Sequence, residues 1–286
     1  MVSAAPDPCA RERGLSPLEA ACEQAARFAW PIEECEAVPL GESDGRITSD
    51  AVLATLALPR FDQSAMDGYA IRADDAGGVA TVLALGGRVA AGHVPAVLEA
   101  GQAARIFTGA PIPPGCDAVV MQEHAACDGA RVTVDGPVRP GSNVRRAGED
   151  VREGQSVIAA GTRLGPRHVA LLAALGMATV TVRRRPRVAI LSTGRELRQP
   201  GEGLDGAAVY DANRPMLLAL ARGAGVEAID RGHVGDDPAV FAQALAAAAL
   251  ASDLVVTSGA PPSARRTIQR RRSDWLGPIS RCCASR

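Results

Sequence analysis

The chain has 286 residues, 47% of them hydrophobic, and a formal net charge of −1. That is room for two domains, and too even a charge for a nucleic-acid binder or a disordered tail. Seven scattered cysteines without a C-x-x-C pair, and four isolated histidines, argue against a zinc site or a disulfide framework. No apolar run is long enough to span a bilayer and no hydrophobic signal core opens the chain, so the expected location is cytoplasmic. Every basic side chain apart from histidine is Arg, so cationic chemistry must use a guanidinium rather than an ammonium point charge.

Residues 1–14 show no periodic pattern. Ser16-Pro17-Leu18-Glu19 then reads as a helix start, with Ser as N-cap, Pro at the first helical position and Glu as reciprocal cap. That helix is expected to run to about Trp30. From Ala54 to Arg146, short β-branched pieces such as Thr81-Val82-Leu83 and Arg131-Val132-Thr133-Val134 alternate with Gly and Pro turns. This predicts an inserted all-β domain over 54–146, with Asp128-Gly129 as a hairpin turn. A helix from Pro166 to Leu175, stopped by Gly176, returns the chain to a helical and extended N-terminal linker domain made of 1–53 and 147–184. Arg183-Arg184-Arg185 reads as a solvated linker edge.

Beyond it the pattern alternates. Strands are predicted at Arg187–Leu191, Val226–Ile229 and Asp253–Thr257, and helices at Pro215–Arg222 and Pro238–Ala251. That is half of a doubly wound parallel α/β domain over 185–259. The fold class expected is therefore α/β and multi-domain.

Several segments carry chemistry. Pro59-Arg60-Phe61-Asp62-Gln63-Ser64-Ala65-Met66-Asp67-Gly68-Tyr69-Ala70 gathers two carboxylates, a hydroxyl, a Gly and a Tyr where a core strand would be apolar. Such a segment costs folding energy unless it handles a ligand; the plainer reading is a turn in which Asp62 and Asp67 cap backbone amides. Open α/β sheets bind ligands at the carboxyl ends of their strands. Ser192-Thr193-Gly194-Arg195-Glu196-Leu197 follows the first strand, offering hydroxyls, amides and a carboxylate at an expected helix start. Gly235-Asp236-Asp237-Pro238 follows the second, with Asp237 read as a helix cap. Tyr210-Asp211-Ala212-Asn213-Arg214 either binds a ligand or caps the next helix. Residues 143–150 read equally as a turn held by internal ion pairs.

Together these segments resemble the signatures of the molybdopterin molybdenumtransferases, the gephyrin E-domain-like family of molybdenum-cofactor synthesis. The matching signatures are P-x-x-D-x-S-x-M-D-G-Y-A at 59–70, M-T-G-A-P at Phe107-Thr108-Gly109-Ala110-Pro111, and N-x-R-R-x-G-E-D at 143–150. S-T-G-x-E-L at 192–197 and Y-D-x-N-R at 210–214 complete them. The resemblance implies insertion of molybdate into adenylated molybdopterin, giving molybdenum cofactor and AMP. It implies Asp67, Thr108, Glu196 and Asp236 as catalytic residues. It implies Ser64, Ser192, Thr193, Gly194, Asp211, Asn213, Thr257, Ser258 and Gly259 as substrate-binding residues. Carboxylates would repel molybdate and phosphate unless a cation intervenes, so Mg2+ held by Glu196 and Asp236 is expected. A homodimer with sites between subunits and a molybdopterin adenylyltransferase partner are implied as well, with no nucleic acid and no membrane. Arg195 departs from the family, which usually has an acidic or small polar residue there. The alternatives are an impaired fragment that only folds, dimerises or binds pterin, and a pterin adenylyltransferase. Met66-Asp67-Gly68-Tyr69 argues against the latter.

The resemblance stops at Gly259. The family continues with G-x-S-x-G-x-x-D and later K-P-G-K-P, whereas here Ala260-Pro261-Pro262-Ser263-Ala264-Arg265-Arg266-Thr267-Ile268 opens an aperiodic Arg-rich tail. Back-translated and read one base earlier, with permitted wobble bases, Ala260 through Ile268 becomes G-A-S-V-G-E-A-D-Y, and the last residues become L-R-V-A. The expectation is a one-base deletion near Gly259. Residues 260–286 would then be an aberrant, disordered tail on a C-terminally truncated and catalytically weakened chain with an open sheet edge.

Overall fold

A computed structural model describes residues 17–27, 29 and 31–259. Ser16, Trp30 and the tail 260–286 lie outside the described residues. The described part is mostly β with few helices. It divides into two compact units, one of residues 37–182 and one of residue 183 onward together with the first 36. Helix α1 (Leu18–Ala26) ends before the Trp30 end point expected from sequence, and its N-cap position is Pro17 rather than Ser16.

The 37–182 unit follows in chain order. Its strands are β1 (Cys35–Pro39), which enters the unit, β2 (Val52–Leu53), β3 (Gln63–Ser64), β4 (Gly68–Ile71), β5 (Ala80–Val89) and β6 (Gln102–Ile106). Then come β7 (Ala118–Met121), β8 (Ala125–Cys127), β9 (Arg131–Asp135), β10 (Val144–Arg145) and β11 (Ser156–Ile158). Helix α2 (Pro166–Ala174) and β12 (Thr179–Arg183) close it. Six strands form one sheet in the order β7-β4-β6-β5-β9-β8, with only β5 and β6 parallel. The expected turn joins β8 to β9. Gly129 has φ +95°, and Asp128 Oδ1 accepts the Ala130 and Arg131 amides at 2.9 and 2.7 Å.

Strand alternation sorts the sheet into two buried faces. Ile71, Leu83, Ala103, Val120 and Val132 pack on one; Ala70, Val89, Ala104, Ile106 and Val119 pack on the other. A separate core joins the early and late segments of the unit through Val38, Val52, Ile158, Leu172, Val180 and Val182. Within it, α2 begins with Pro166 at its first turn, and Gly176 stops it at φ +73°.

The second unit contains β13 (Arg187–Thr193), β14 (Leu197–Arg198), β15 (Val209–Tyr210), α3 (Asn213–Gly223), β16 (Glu227–Val234), α4 (Pro238–Ala251) and β17 (Leu254–Ser258). Its sheet is parallel in the order β16-β13-β17. Val188 and Ile190 of β13 pack with Leu218 of α3, whereas Ala189 and Leu191 pack with Phe241, Leu245 and Ala248 of α4. Successive side chains point to opposite faces, so the two helices cover opposite faces and β13 reads as an unbroken apolar run. Asp237 caps α4 as expected, its Oδ1 accepting the Ala239 and Val240 amides.

Three expectations need correction here. Glu196 does not open a helix: the chain turns after Gly194 and Leu197 enters β14, pairing in parallel with Val209 of β15. The next helix, α3, starts at Asn213, two residues before the expected Pro215. Nor is Arg184 simply a solvated linker residue. Its side chain is 18% exposed and bridges Glu34 at 3.1 Å and Asp253 at 2.9 Å.

Candidate active site

In the 37–182 unit the acidic motif lines one end of the sheet. Asp67 Oδ1 accepts both the backbone N–H and the hydroxyl of Thr108, each at 2.8 Å. Those two hydrogen bonds, the backbone one first, hold the Asp67 carboxyl below its ordinary range, with Arg105 adding a smaller pull. Oδ2 of Asp67 has no partner among the described residues. The structure therefore brings Asp67 and Thr108 together as a fixed, ionised carboxylate with one free oxygen.

Gly68 is dictated by packing. It lies on β4 between β6 and β7, and a Cβ there would sit 1.9 Å from the Val120 carbonyl oxygen. Ser64 is 1% exposed, and its Oγ donates to the Met66 carbonyl at 2.6 Å, so this hydroxyl holds the turn leading to Asp67. Asp62 performs the capping expected of it. It accepts the Ala147 amide at 2.8 Å and pairs with Arg146 at 2.6 Å, and the amide is the leading cause of its lowered pKa. The 143–150 segment thereby braces the motif, with Arg145 paired to Asp150 at 2.6 Å. A cleft of about 260 Å³ lined by Met121, His124, Asp135 and Arg139 contains none of the predicted site residues.

In the other unit, three loops meet at the carboxyl ends of the parallel strands. Ser192 pairs with Ser258, and the Gly194 amide reaches the Val234 carbonyl at 3.1 Å. Gly259, at φ +79°, comes so close that a Cβ would lie 2.7 Å from the Thr193 carbonyl oxygen. At Gly194, φ +149°, a Cβ would meet the Glu196 carboxylate at 2.6 Å, so Glu196 folds back over the strand end. Thr193 is buried, while Thr257 and Asn213 are exposed. Asp236 is exposed and has Arg195 beside it at 3.7 Å.

Beneath this strand end lies a charge network that sequence reasoning missed. Arg214 is buried and donates through Nε to Asp211 at 3.1 Å and through Nη1 to both oxygens of Asp230, at 2.7 and 2.6 Å. Burial pushes the Asp211 carboxyl up, but the Arg214 amide, the nearby Ser192 hydroxyl and the guanidinium together hold it below its ordinary value. Ser192 itself is fully buried and, among the described residues, its Oγ makes no hydrogen bond of normal geometry, although its proximity helps to lower the Asp211 carboxyl. An orphaned hydroxyl at such a strand end is an opening for a ligand acceptor or donor. The Asp-x-x-Arg spacing across a helix start was the available signal for this network; Asp230, on another strand, had none.

Among the described residues no group of three or more His, Cys, Asp or Glu side chains could hold a metal. Mg2+ commonly takes one or two carboxylates and completes its shell with phosphate and water, so Glu196 and Asp236 suit it only as a cation shared with a phosphorylated substrate.

The described residues thus hold a carboxylate–threonine clasp in one mostly β unit and, in the other, a parallel strand end with a helix on each face. The family described as "MoeA N-terminal region (domain I and II)" matches residues 16–176, and "Probable molybdopterin binding domain" matches 189–261. Molybdopterin molybdenumtransferase 2 of Mycobacterium tuberculosis is 40% identical over 229 residues, covering 78% of this chain and 56% of the relative. The Haemophilus influenzae molybdopterin molybdenumtransferase is 38% identical over 79% of this chain and 56% of its own. The crystal structure of the molybdopterin biosynthesis MoeA protein from Pyrococcus horikoshii OT3 superposes with TM-score 0.77 at 36% identity, covering 86% of this chain and 67% of that one. The chain belongs to the MoeA family of molybdopterin molybdenumtransferases. It spans about half the length of the curated relatives it matches.

Proposed function

We propose that this chain acts in molybdenum-cofactor synthesis, inserting molybdate into adenylated molybdopterin with release of AMP. The observation that carries the reading is the Asp67–Thr108 clasp, a fixed carboxylate with one oxygen free, in a chain 40% identical over 229 residues to a transferase of this name. Molybdate must lose oxygen as the dithiolene sulfurs bind the metal, and that oxygen leaves as water only if protons reach it. The ionised Asp67 presents Oδ2 as a fixed negative hydrogen-bond acceptor that would orient the protonated leaving oxygen, and Thr108 fixes its direction. The hydroxyls and amides of Ser192, Thr193, Gly194, Thr257, Ser258 and Gly259 suit binding of the pterin phosphate end at the strand termini. Asp211 and Asn213 belong to the same reading, Asp211 as a positioning residue through Arg214.

Mg2+, if held by Glu196 and Asp236 with substrate phosphate, would neutralise the charge of the adenylate. The exposed Arg195–Asp236 pair is a weak competitor for that role. The proposal extends to a cytoplasmic homodimer and to a molybdopterin adenylyltransferase as the upstream partner. Its finer architecture is a linker domain with an inserted β domain followed by part of a doubly wound α/β domain, a division supported by the separate core clusters. No helix among the described residues is long and apolar enough to cross a membrane. The test is molybdate-dependent AMP release from adenylated molybdopterin, with and without Mg2+. Release that ignores molybdate would refute the reading.

A further inference from the structure

The sheet of the 37–182 unit contains an irregularity that the proposed function does not use. Along β5 and β6 the register pairs Leu85 with Ala103 but Gly87 with Ala104, so one extra residue is inserted at Gly86. Bulges are rare between parallel strands, and they re-aim the side chains that follow. The consequence is visible in the core. Leu83 and Leu85 pack on one face, yet Val89, which alternation would place with them, packs on the other beside Ile106. With the bulge, Arg88 stands opposite Arg105; without it, Arg88 would stand opposite Ile106.

The register then makes a row across three strands, Tyr69 to Arg105 to Arg88. Both guanidinium groups lie over the Phe107 ring, at 4.6 Å for Arg88 and 4.9 Å for Arg105, and Arg105 also lies 5.2 Å from the Tyr69 ring. Arg105 is pinned by the Gly68 carbonyl at 3.0 Å and by Gln122 Oε1 at 2.6 Å. Arg88 has no hydrogen bond or ion pair among the described residues. Like charges placed directly opposite each other on a sheet destabilise it. Here a bulge sets them opposite each other, both guanidinium groups lie over one ring, and Arg88 keeps its donors unused.

We infer that Arg88 and Arg105, stacked on Phe107, form a binding site for a tetrahedral oxyanion, molybdate or the phosphoryl group of the adenylate. The site adjoins the Asp67–Thr108 clasp in sequence and in the sheet, since Phe107 precedes Thr108 and Arg105 bonds to the carbonyl of Gly68. Its place in the reaction rests on the function proposed above, but its binding chemistry does not. Arg88 offers an open guanidinium fork and Arg105 a held positive charge beside it, which together suit an oxyanion, and each charge-assisted hydrogen bond is worth about tenfold or more in affinity.

The test is equilibrium binding of molybdate alone, and separately of AMP, to the full chain and to folded variants. Arg88→Gln should weaken oxyanion binding about tenfold, and Arg88→Lys by less, because it keeps the charge and loses the fork. Arg131→Gln, the same charge change on β9 of the same sheet, should leave affinity within about twofold, a general field effect being small when screened. The ligand whose affinity falls with Arg88→Gln identifies the source of the oxyanion. The inference is overturned if the wild-type chain shows no saturable binding of either probe, or if Arg88→Gln and Arg131→Gln weaken binding equally. Arg88-dependent binding without molybdate-dependent AMP release would leave the site standing and remove the proposed function. AMP release with binding indifferent to Arg88 would do the reverse.

Discussion

Gly68 and Asp67 are adjacent and answer to different forces. The absence of a side chain at 68 is a packing requirement, because a Cβ would lie 1.9 Å from backbone that is itself held in a strand. Gly68→Ala should therefore lower stability by about 3 kcal/mol, as overpacking of a sheet centre does, and thermal denaturation would show it. An unchanged midpoint would mean that β4 and β7 separate freely. Asp67 is exposed, so its replacement should leave the fold intact and act on chemistry alone. Asp62 and Asp67 stood out in the sequence because a polar run at a strand edge has few structural excuses, whereas Thr108 was marked only by the family resemblance of 107–111. Arg88 was not legible, since its placement depends on a bulge marked only by Gly86-Gly87. Arg214 was legible only as part of a motif, its partner Asp230 being 16 residues away.

At the scale of elements, β13 and α4 followed directly from pattern. An apolar run flanked by two helical segments has one stable arrangement, with a helix on each face. The loop after β13 misled because a Ser-Thr-Gly segment after a parallel strand ordinarily opens a helix. Here Glu196 folds back over Gly194, and Leu197 finds a strand partner 12 residues on. The three-arginine run misled in the same way, its middle member closing an ion-pair bridge.

That bridge carries a pH prediction. The Arg184 guanidinium is the leading cause holding the Asp253 carboxyl below its ordinary value. A carboxyl depressed in the folded state stabilises fully above its unfolded pKa, and the contribution is lost as pH falls through the folded pKa. Stability should thus decline on the acid side of the ordinary carboxylate range, and Asp253→Asn should flatten that decline while lowering stability at neutral pH. Parallel pH–stability curves for the two proteins would refute the role given to this pair.

For the whole molecule, the described residues form two units that carry the predicted residues separately. Ser64, Asp67 and Thr108 lie in residues 37–182, and the strand-end group lies from 183 onward. A homodimer is proposed, so sedimentation should show a dimer dissociating on dilution; a folded monomer at all concentrations would remove that part of the proposal. The central claim is that the Asp67 carboxylate serves molybdate insertion. It is tested most directly by AMP release from adenylated molybdopterin with molybdate present, comparing wild type with Asp67→Asn at matched thermal stability. The variant should fall about a hundredfold, the scale of losing one preorganised electrostatic group. Equal release by the two proteins, or none by the wild type, would contradict it.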